Sequence, residues 1–144
     1  MLIVNSEEML LDYWIPADTP WFERRAEIQQ IIIESGVTRI GEKSFCACEN
    51  LTSIIFSNDV TSIGEAAFQE CYSLTTIILP TGLTEIGYGA FYNCHNLISI
   101  TIPDSVTSIE ERAFAYCEKL TIYAPSGSYA EQYAKDHGIP FIAQ

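Results

Sequence analysis

Basic side chains are scarce in this sequence. Seven Lys and Arg stand against 19 Asp and Glu, a formal net charge of -12 over 144 residues. Such a surface repels phosphate backbones and anionic lipid, so nucleic acid is disfavoured as a partner. A basic protein or a neutral ligand remains compatible with it. Histidine is nearly absent: only His95 and His137 could act as a base near neutral pH. Neither lies in a nucleophile or metalloprotease motif, since G-x-S-x-G and H-E-x-x-H do not occur. Long apolar runs are missing too. The longest, such as Ile31 to Ile33 and Ile77 to Leu79, fall far below the ~20 residues of a membrane span. The N-terminal segment Met1 to Glu8 has neither a basic n-region nor an apolar h-region, so it does not read as a signal peptide. A cytosolic protein and a mature or truncated form both fit that reading. The chain is nonetheless 48% hydrophobic and only 18% charged, a composition that folds. Its length suits one domain.

What the sequence has is a repeat. Cys48, Cys71, Cys94 and Cys117 lie 23 residues apart, as do Phe45, Phe68, Phe91 and Phe114. Ile40, Ile63, Ile86 and Ile109 form a third column; Leu51, Leu74, Leu97 and Leu120 a fourth; Thr38, Thr61, Thr84 and Thr107 a fifth. Periodicity on this scale is the signature of a stacked-repeat architecture. Residues 37–125 carry the repeats. Residues 1–36 read as an N-terminal cap with a degenerate first repeat, in which Phe22 falls on the Phe column and Arg25 on the Cys column. A polar residue in a core slot suits a terminal rung, and Trp14 and Trp21 are expected to cover that end of the core. Residues 126–144 form a C-terminal cap within the same structural domain. There Ser128 and Glu131 make a capping box that opens a helix, and Gly138 ends it. This cap is expected to hide the last sheet edge.

One rung holds too few apolar side chains to offset an ordering cost of ~1–2 kcal/mol per residue. Stacked rungs bury each column against its own copies. The run Leu51-x-x-Ile54-x-Phe56 predicts a strand with those three residues in the core, and its equivalents in every rung should pair in parallel ~4.8 Å apart. Ala67-Phe68-x-x-Cys71 has helical spacing and predicts a tight turn or 3-10 piece on the opposite side.

The rung Leu-Thr-x-Ile-x-x-Pro-x-x-Val-Thr-x-Ile-Gly-x-x-Ala-Phe-x-x-Cys resembles the BspA-type leucine-rich repeat. Residues 22 to about 125 carry it. The ending Ala124 to Glu131 with Gly138 to Phe141 looks like that family's closing cap, and Asp12 to Trp14 through Pro20 to Phe22 like its opening cap. The resemblance implies an α/β leucine-rich-repeat solenoid: a curved right-handed superhelix, a parallel β-sheet on one face, short turns or 3-10 pieces on the other, and a C-terminal capping helix. It also implies a bacterial protein, displayed at the surface or secreted, that binds other proteins, with adhesion as one use. The position that holds Asn in other leucine-rich repeats is Asp59, Gly82 and Ser105 here, so no buried Asn ladder is expected.

The cysteine column invites a metal or disulfide reading. A small buried hydrophobe in every rung explains it more simply, and Cys46-x-Cys48 lacks the spacing of a zinc pair. Cys46 shares its slot with Gln69, Tyr92 and Ala115, so it is expected to be the more exposed thiol, able to cross-link two molecules. Glu110, Glu111 and Glu118 match no calcium loop. His95 shares its outer-turn slot with Glu49 and Tyr72 and reads as solvated; His137 suits a helix C-terminus. Gly41, Gly64 and Gly87 read as a turn requirement. No cofactor or metal is implied, and no enzymatic activity.

The sheet face is the better candidate. Between core positions, side chains point to solvent. One column reads Gln30, Ser53, Thr76, Ser99 and Thr121; the central one Ile32, Ile55, Ile78, Thr101 and Tyr123; the third Glu34, Ser57, Pro80, Pro103 and Pro125. The last strand aligns with a one-residue deletion. An apolar stripe on a solvent-facing sheet marks an interface. A non-catalytic protein-protein interaction module, binding a protein or peptide, is the reading these residues support. The alternative is a self-associating unit, joined through the same face, or a fragment of a larger repeat protein.

Overall fold

The computed structural model describes residues 1–6, 10, 12 and 16–144; Trp14, expected as a cover, lies outside them. The described chain is a parallel β-solenoid of about five turns with one C-terminal helix. On the first side lie β1 (Leu2–Val4), β2 (Gln30–Ile33), β4 (Ser53–Ile55), β6 (Thr76–Ile78), β8 (Ser99–Thr101), β10 (Thr121–Ala124) and β11 (Phe141–Ala143). On a second side lie the two-residue strands β3 (Arg39–Ile40), β5 (Ser62–Ile63), β7 (Glu85–Ile86) and β9 (Ser108–Ile109). Helix α1 covers Tyr129–His137. Its first turn is capped by Ser128, whose hydroxyl accepts from the Glu131 amide at 3.2 Å, and it stops at Gly138 with φ 66°.

Register follows the period. Ile40 pairs with Ile63, Ile63 with Ile86, and Ile86 with Ile109. Thr121 pairs with Ser99, one residue short of the period. The side chains that repeat in sequence therefore stack in space. The Phe column is a ladder of nearly parallel rings: Phe45 to Phe68 at 5.3 Å, Phe68 to Phe91 at 5.4 Å, Phe91 to Phe114 at 5.5 Å. Such pairs contribute ~0.5–1.5 kcal/mol each beyond their buried area. Leu, Ile, Val, Ala and Cys columns fill the remaining interior, nearly all of them buried.

Both ends of the ladder finish on an aromatic with a polar atom. Trp21 stacks on Phe45 at 5.2 Å, and its indole N–H donates to the Ser44 carbonyl at 2.8 Å. This corrects the alignment of Phe22 with Phe45. Phe22 is only half-buried, and the Arg25 guanidinium sits 3.8 Å over its ring. The first outer segment is a 3-10 helix (Phe22–Glu27) rather than a rung turn, which moves the inward position back by one residue. At the far end Tyr133 of α1 meets Phe114 edge-on at 6.0 Å.

The outer side of the inner rungs is built from turns, not 3-10 helix. Each outer turn has two residues in the left-handed region. One column is Lys43, Ala66, Gly89 and Arg112, with φ between 51° and 59°; the other is Ala47, Glu70, Asn93 and Tyr116, with φ between 58° and 61°. These flips alternate the amides. The Ser44, Cys46 and Cys48 amides bond three residues back. The Lys43, Phe45 and Ala47 amides donate at 2.8 Å to the carbonyls of Glu65, Ala67 and Gln69 in the next rung.

The glycine column also differs from expectation. Gly64 and Gly87 do not need a positive φ; they need closeness. A Cβ on Gly64 would lie 2.9 Å from both the Glu42 nitrogen and the Ile40 carbonyl oxygen, and one on Gly87 2.8 Å from the Gly64 carbonyl carbon. The backbones of adjacent rungs touch there.

The long sheet is broken, against the expectation of continuous pairing. β1-β2-β4 form one sheet and β6-β8-β10-β11 another; β4 and β6 do not pair. Phe56 occupies a slot held elsewhere by Ile33, Leu79 and Ile102, and its larger ring turns edge-on to Phe68 at 6.1 Å. Pro80 follows in the next rung, where Ser57 one rung earlier donates its amide to Ile33. Proline has no such proton. Ile54 and Phe56 are consequently only partly buried, whereas Ile77, Leu79, Ile100 and Ile102 are fully so.

Two substitutions separate these contributions in urea unfolding. Phe68→Ala removes the middle of the ladder and is expected to destabilise by ~3–5 kcal/mol. Gly64→Ala, which removes nothing, is expected to cost ~1–3 kcal/mol by wedging two backbones apart. An unfolding midpoint for Gly64→Ala equal to the parent's would contradict the close-contact account.

Candidate functional site

The strands place the central column of the sheet face in one line. Ile32 pairs with Ile3 on one side and Ile55 on the other. Ile78 pairs with Thr101, Thr101 with Tyr123, and Tyr123 with Ile142. The stripe thus runs Ile3, Ile32, Ile55, Ile78, Thr101, Tyr123, Ile142, with its gap between Ile55 and Ile78. Those two are the most exposed members of the stripe at 51% and 70%; Ile3 and Ile142 follow at 41% and 49%. Ile32, Thr101 and Tyr123 are half-buried.

Ile3 and Ile142 were not legible from the period, because the cap strands that carry them lie outside it. The available signal was the short apolar runs Leu2-Ile3-Val4 and Phe141-Ile142-Ala143 at the two ends. Among the described residues the caps extend the sheets and do not cover them: β1 is an edge of one and β11 an edge of the other.

The flanking columns are polar. Gln30 pairs with Ser53, Thr76 with Ser99, and Ser99 with Thr121. The hydroxyls of Ser99 and Thr76 are hydrogen-bonded at 3.3 Å. Glu34 and Ser57 lie just beyond the ends of β2 and β4. There the Glu34 amide donates to Val4 at 2.9 Å, and the Ser57 hydroxyl accepts from the Asp59 amide at 3.1 Å. Pro80, read as part of the third column, is buried instead. Beside this end of the face a shallow hollow of about 670 Å³ is lined by Ile33, Glu34, Ile55, Phe56 and Ser57 among others.

The cysteines have another role. Cys48, Cys71, Cys94 and Cys117 are buried and free. The thiols of Cys71, Cys94 and Cys117 donate to the carbonyls of Phe45, Phe68 and Phe91 in the rung before, at 3.4, 3.1 and 3.1 Å. Cys46 is the most exposed of the five thiols, as its slot suggests, but at 9% it is still buried, which corrects its use as a cross-linking thiol. Among the described residues no group of three or more His, Cys, Asp and Glu is placed to hold a metal. His95 stacks on Tyr72 at 4.7 Å, and the His137 ring on Tyr133 at 4.0 Å. No described helix is long and apolar enough to cross a membrane.

Residues 18–134 match six copies of the BspA type leucine rich repeat region. The chain belongs to the BspA-type leucine-rich repeat family. Solved structures of the family's kind superpose well on it. A leucine-rich repeat protein from Bacteroides ovatus is 33% identical over 83% of this chain, with a TM-score of 0.72. A leucine rich cell surface protein from Faecalibacterium prausnitzii is 38% identical over 73%, with a TM-score of 0.66. The leucine rich repeat protein of T. pallidum is 25% identical over 85%, with a TM-score of 0.68. The BspA-type chain spans 31%, 28% and 52% of these three proteins. No curated protein matches it.

In this BspA-type solenoid the thiols are shielded electrostatically as well as sterically. Burial pushes Cys48 from 9.0 up to about 12 and Cys46 and Cys117 to about 11, and raises Cys71 and Cys94 further. Thiolate is the reactive form, so alkylation in native buffer at pH 8 should be slow at all five positions and complete in denaturant. The linkage has a definite sign. A folded-state value above the unfolded one means stability present below pH 9 and lost as pH rises through the raised values. Stability is therefore expected to fall from pH 9 to about 12. In Cys71→Ala that alkaline slope should be shallower, measured by urea midpoints across the range.

Proposed function

We propose that this chain is a non-catalytic protein-recognition module that reads its partner through the sheet face. The observation that carries the proposal is the apolar stripe, four of whose seven members are at least 41% exposed. Partner contact would centre on Ile32, Ile55, Ile78, Thr101 and Tyr123, extended by Ile3 and Ile142. Gln30, Ser53, Thr76, Ser99 and Thr121 would offer hydrogen bonds along one flank, and Glu34 and Ser57 along the other. A stripe rimmed by hydroxyls and amides suits a protein surface. The net charge of -12 favours a neutral or basic one.

Size sets the strength. Seven strands ~4.8 Å apart and ~10 Å of strand length give about 300 Å², against ~800 Å² per partner in a standard interface. This face by itself suits weak, repeated contacts, or serves as part of a longer face in a solenoid of the relatives' length. A surface location, and adhesion as its use, fit the cell surface protein of Faecalibacterium prausnitzii and belong to this same proposal.

The test is an Ile55→Lys, Ile78→Lys double variant in capture from the source organism's lysate and medium. Both side chains are exposed, so the melting temperature should hold while capture of a distinct partner is lost. Undiminished capture of that partner would refute the assignment. Capture of the chain alone, with a dimer in light scattering, would move it to self-association.

A further inference from the structure

The strand face is stitched at both ends of each rung except at one seam. The Thr52 and Ile98 amides donate back to the carbonyls of Gln29 and Thr75 at 2.9 and 2.8 Å. The Leu79 and Ile102 amides donate forward to Thr101 and Tyr123 at 3.0 and 2.8 Å. Between β4 and β6 neither stitch is made. Among the described residues the Thr75 amide has no bond to Thr52, and the Phe56 amide has none to Ile78. Pro80 alone does not account for this. Pro103 and Pro125 hold its position in the next two rungs, where β6 pairs with β8 and β8 with β10. The deciding difference is Phe56, whose ring is larger than Ile33, Leu79 and Ile102 in its column. It stands edge-on to Phe68 at 6.1 Å and wedges β4 away from β6.

The seam is pinned around its margin. Before it, the Ala47 amide donates to the Gln69 carbonyl at 2.8 Å. After it, Asn58 Oδ1 accepts from the Thr81 hydroxyl and amide at 3.2 and 3.4 Å. Behind it the sheet β3-β5-β7-β9 is unbroken. The two strands can therefore part and close only as a bow between fixed ends. The wedge has room to move. Phe56 is only partly buried, and it lines the shallow hollow of about 670 Å³ beside β2 and β4. A close-packed core residue has no such space.

We infer that Phe56 is the wedge of a two-position joint in the sheet face. With the ring inside, as in this structure, the face is two panels, and Ile55 and Ile78 stand 51% and 70% exposed at the seam. With the ring turned into the hollow, β4 closes on β6. The Thr75 and Phe56 amides then gain the acceptors their counterparts have, and the two isoleucines draw together. Closing gains main-chain hydrogen bonds; turning the ring out gives up its burial and its contact with Phe68. The opposition of these effects keeps both positions within reach. The use of the joint rests on the proposed reading of the face: it sets the spacing of the two most exposed members of the stripe, and so the shape of partner that fits. The motion itself needs no partner.

The test is relaxation dispersion on the full chain labelled with nitrogen-15, with amide hydrogen exchange beside it. Microsecond-to-millisecond broadening is expected at β4, β6 and Phe56 and not at β10. The Thr75 and Thr76 amides should exchange roughly a hundredfold faster than those of Ile98 and Ser99, their counterparts one rung on. Phe56→Leu, which copies Leu79, should remove the broadening and slow the Thr75 and Thr76 amides by roughly tenfold or more. Phe56→Ile, which copies Ile33 and Ile102, should do the same, and it serves if the first variant folds poorly. A seam without broadening, Thr75 exchange as slow as that of Ile98, or broadening unchanged by both substitutions would each overturn the joint. A rigid seam together with lost capture by the Ile55→Lys, Ile78→Lys variant would overturn the joint and leave the recognition reading standing.

Discussion

Adjacent rungs sit at strand separation, and everything inside the solenoid must fit that height. Phe rings stack at 5.3 to 5.5 Å, close to the ~4.8 Å between paired strands. The glycine column exists because two backbones meet with no room for a methyl group. The cysteines fit for the same reason: a thiol is small enough for the column and still reaches the Phe carbonyl of the rung before. Seven non-glycine residues adopt left-handed backbone, a conformation that costs about 1 kcal/mol or more each. In all but the last rung, amide bonds to the next rung help hold them there. A rung alone would relax, and the repeat is stable only as a stack.

Much of this was legible in the sequence, because a repeating constraint writes itself repeatedly. Ile40, Phe45, Cys48 and Leu51 and their copies name the core without reference to any coordinate. What was not legible is what happens once. Trp21 replaces Phe22 at the head of the ladder because a 3-10 helix there shifts the chain by one residue. Phe56 and Pro80 look like ordinary members of their columns, yet together they part β4 from β6. Comparison with Gln69, Tyr92 and Ala115 ranks Cys46 as the most exposed thiol, which it is, but does not show that it stays buried at 9%. The face was read as five strands, and Ile3 and Ile142 carry its stripe across seven.

The sheet face offers side chains, apolar in the middle and hydroxylic beside it, and on the proposed reading a partner would be chosen by shape and hydrophobicity. The parted strands give the face a local irregularity at its most exposed point, between Ile55 and Ile78. A flat partner would meet two short panels there, joined behind by the unbroken sheet β3-β5-β7-β9.

The main-chain hydrogen bonds between outer turns, from Lys43 to Asn93, all run one way, from each rung toward the C-terminal side. The stack accordingly has a head and a tail that are chemically unlike, one presenting main-chain acceptors toward Trp21 and the other main-chain donors toward Tyr133. Rungs can be added, deleted or exchanged between members of such a family only in the same orientation, like beads threaded on a grooved wire. That directionality lets solenoids of this kind lengthen by duplication while their ends stay distinct, and it makes the two caps non-interchangeable parts.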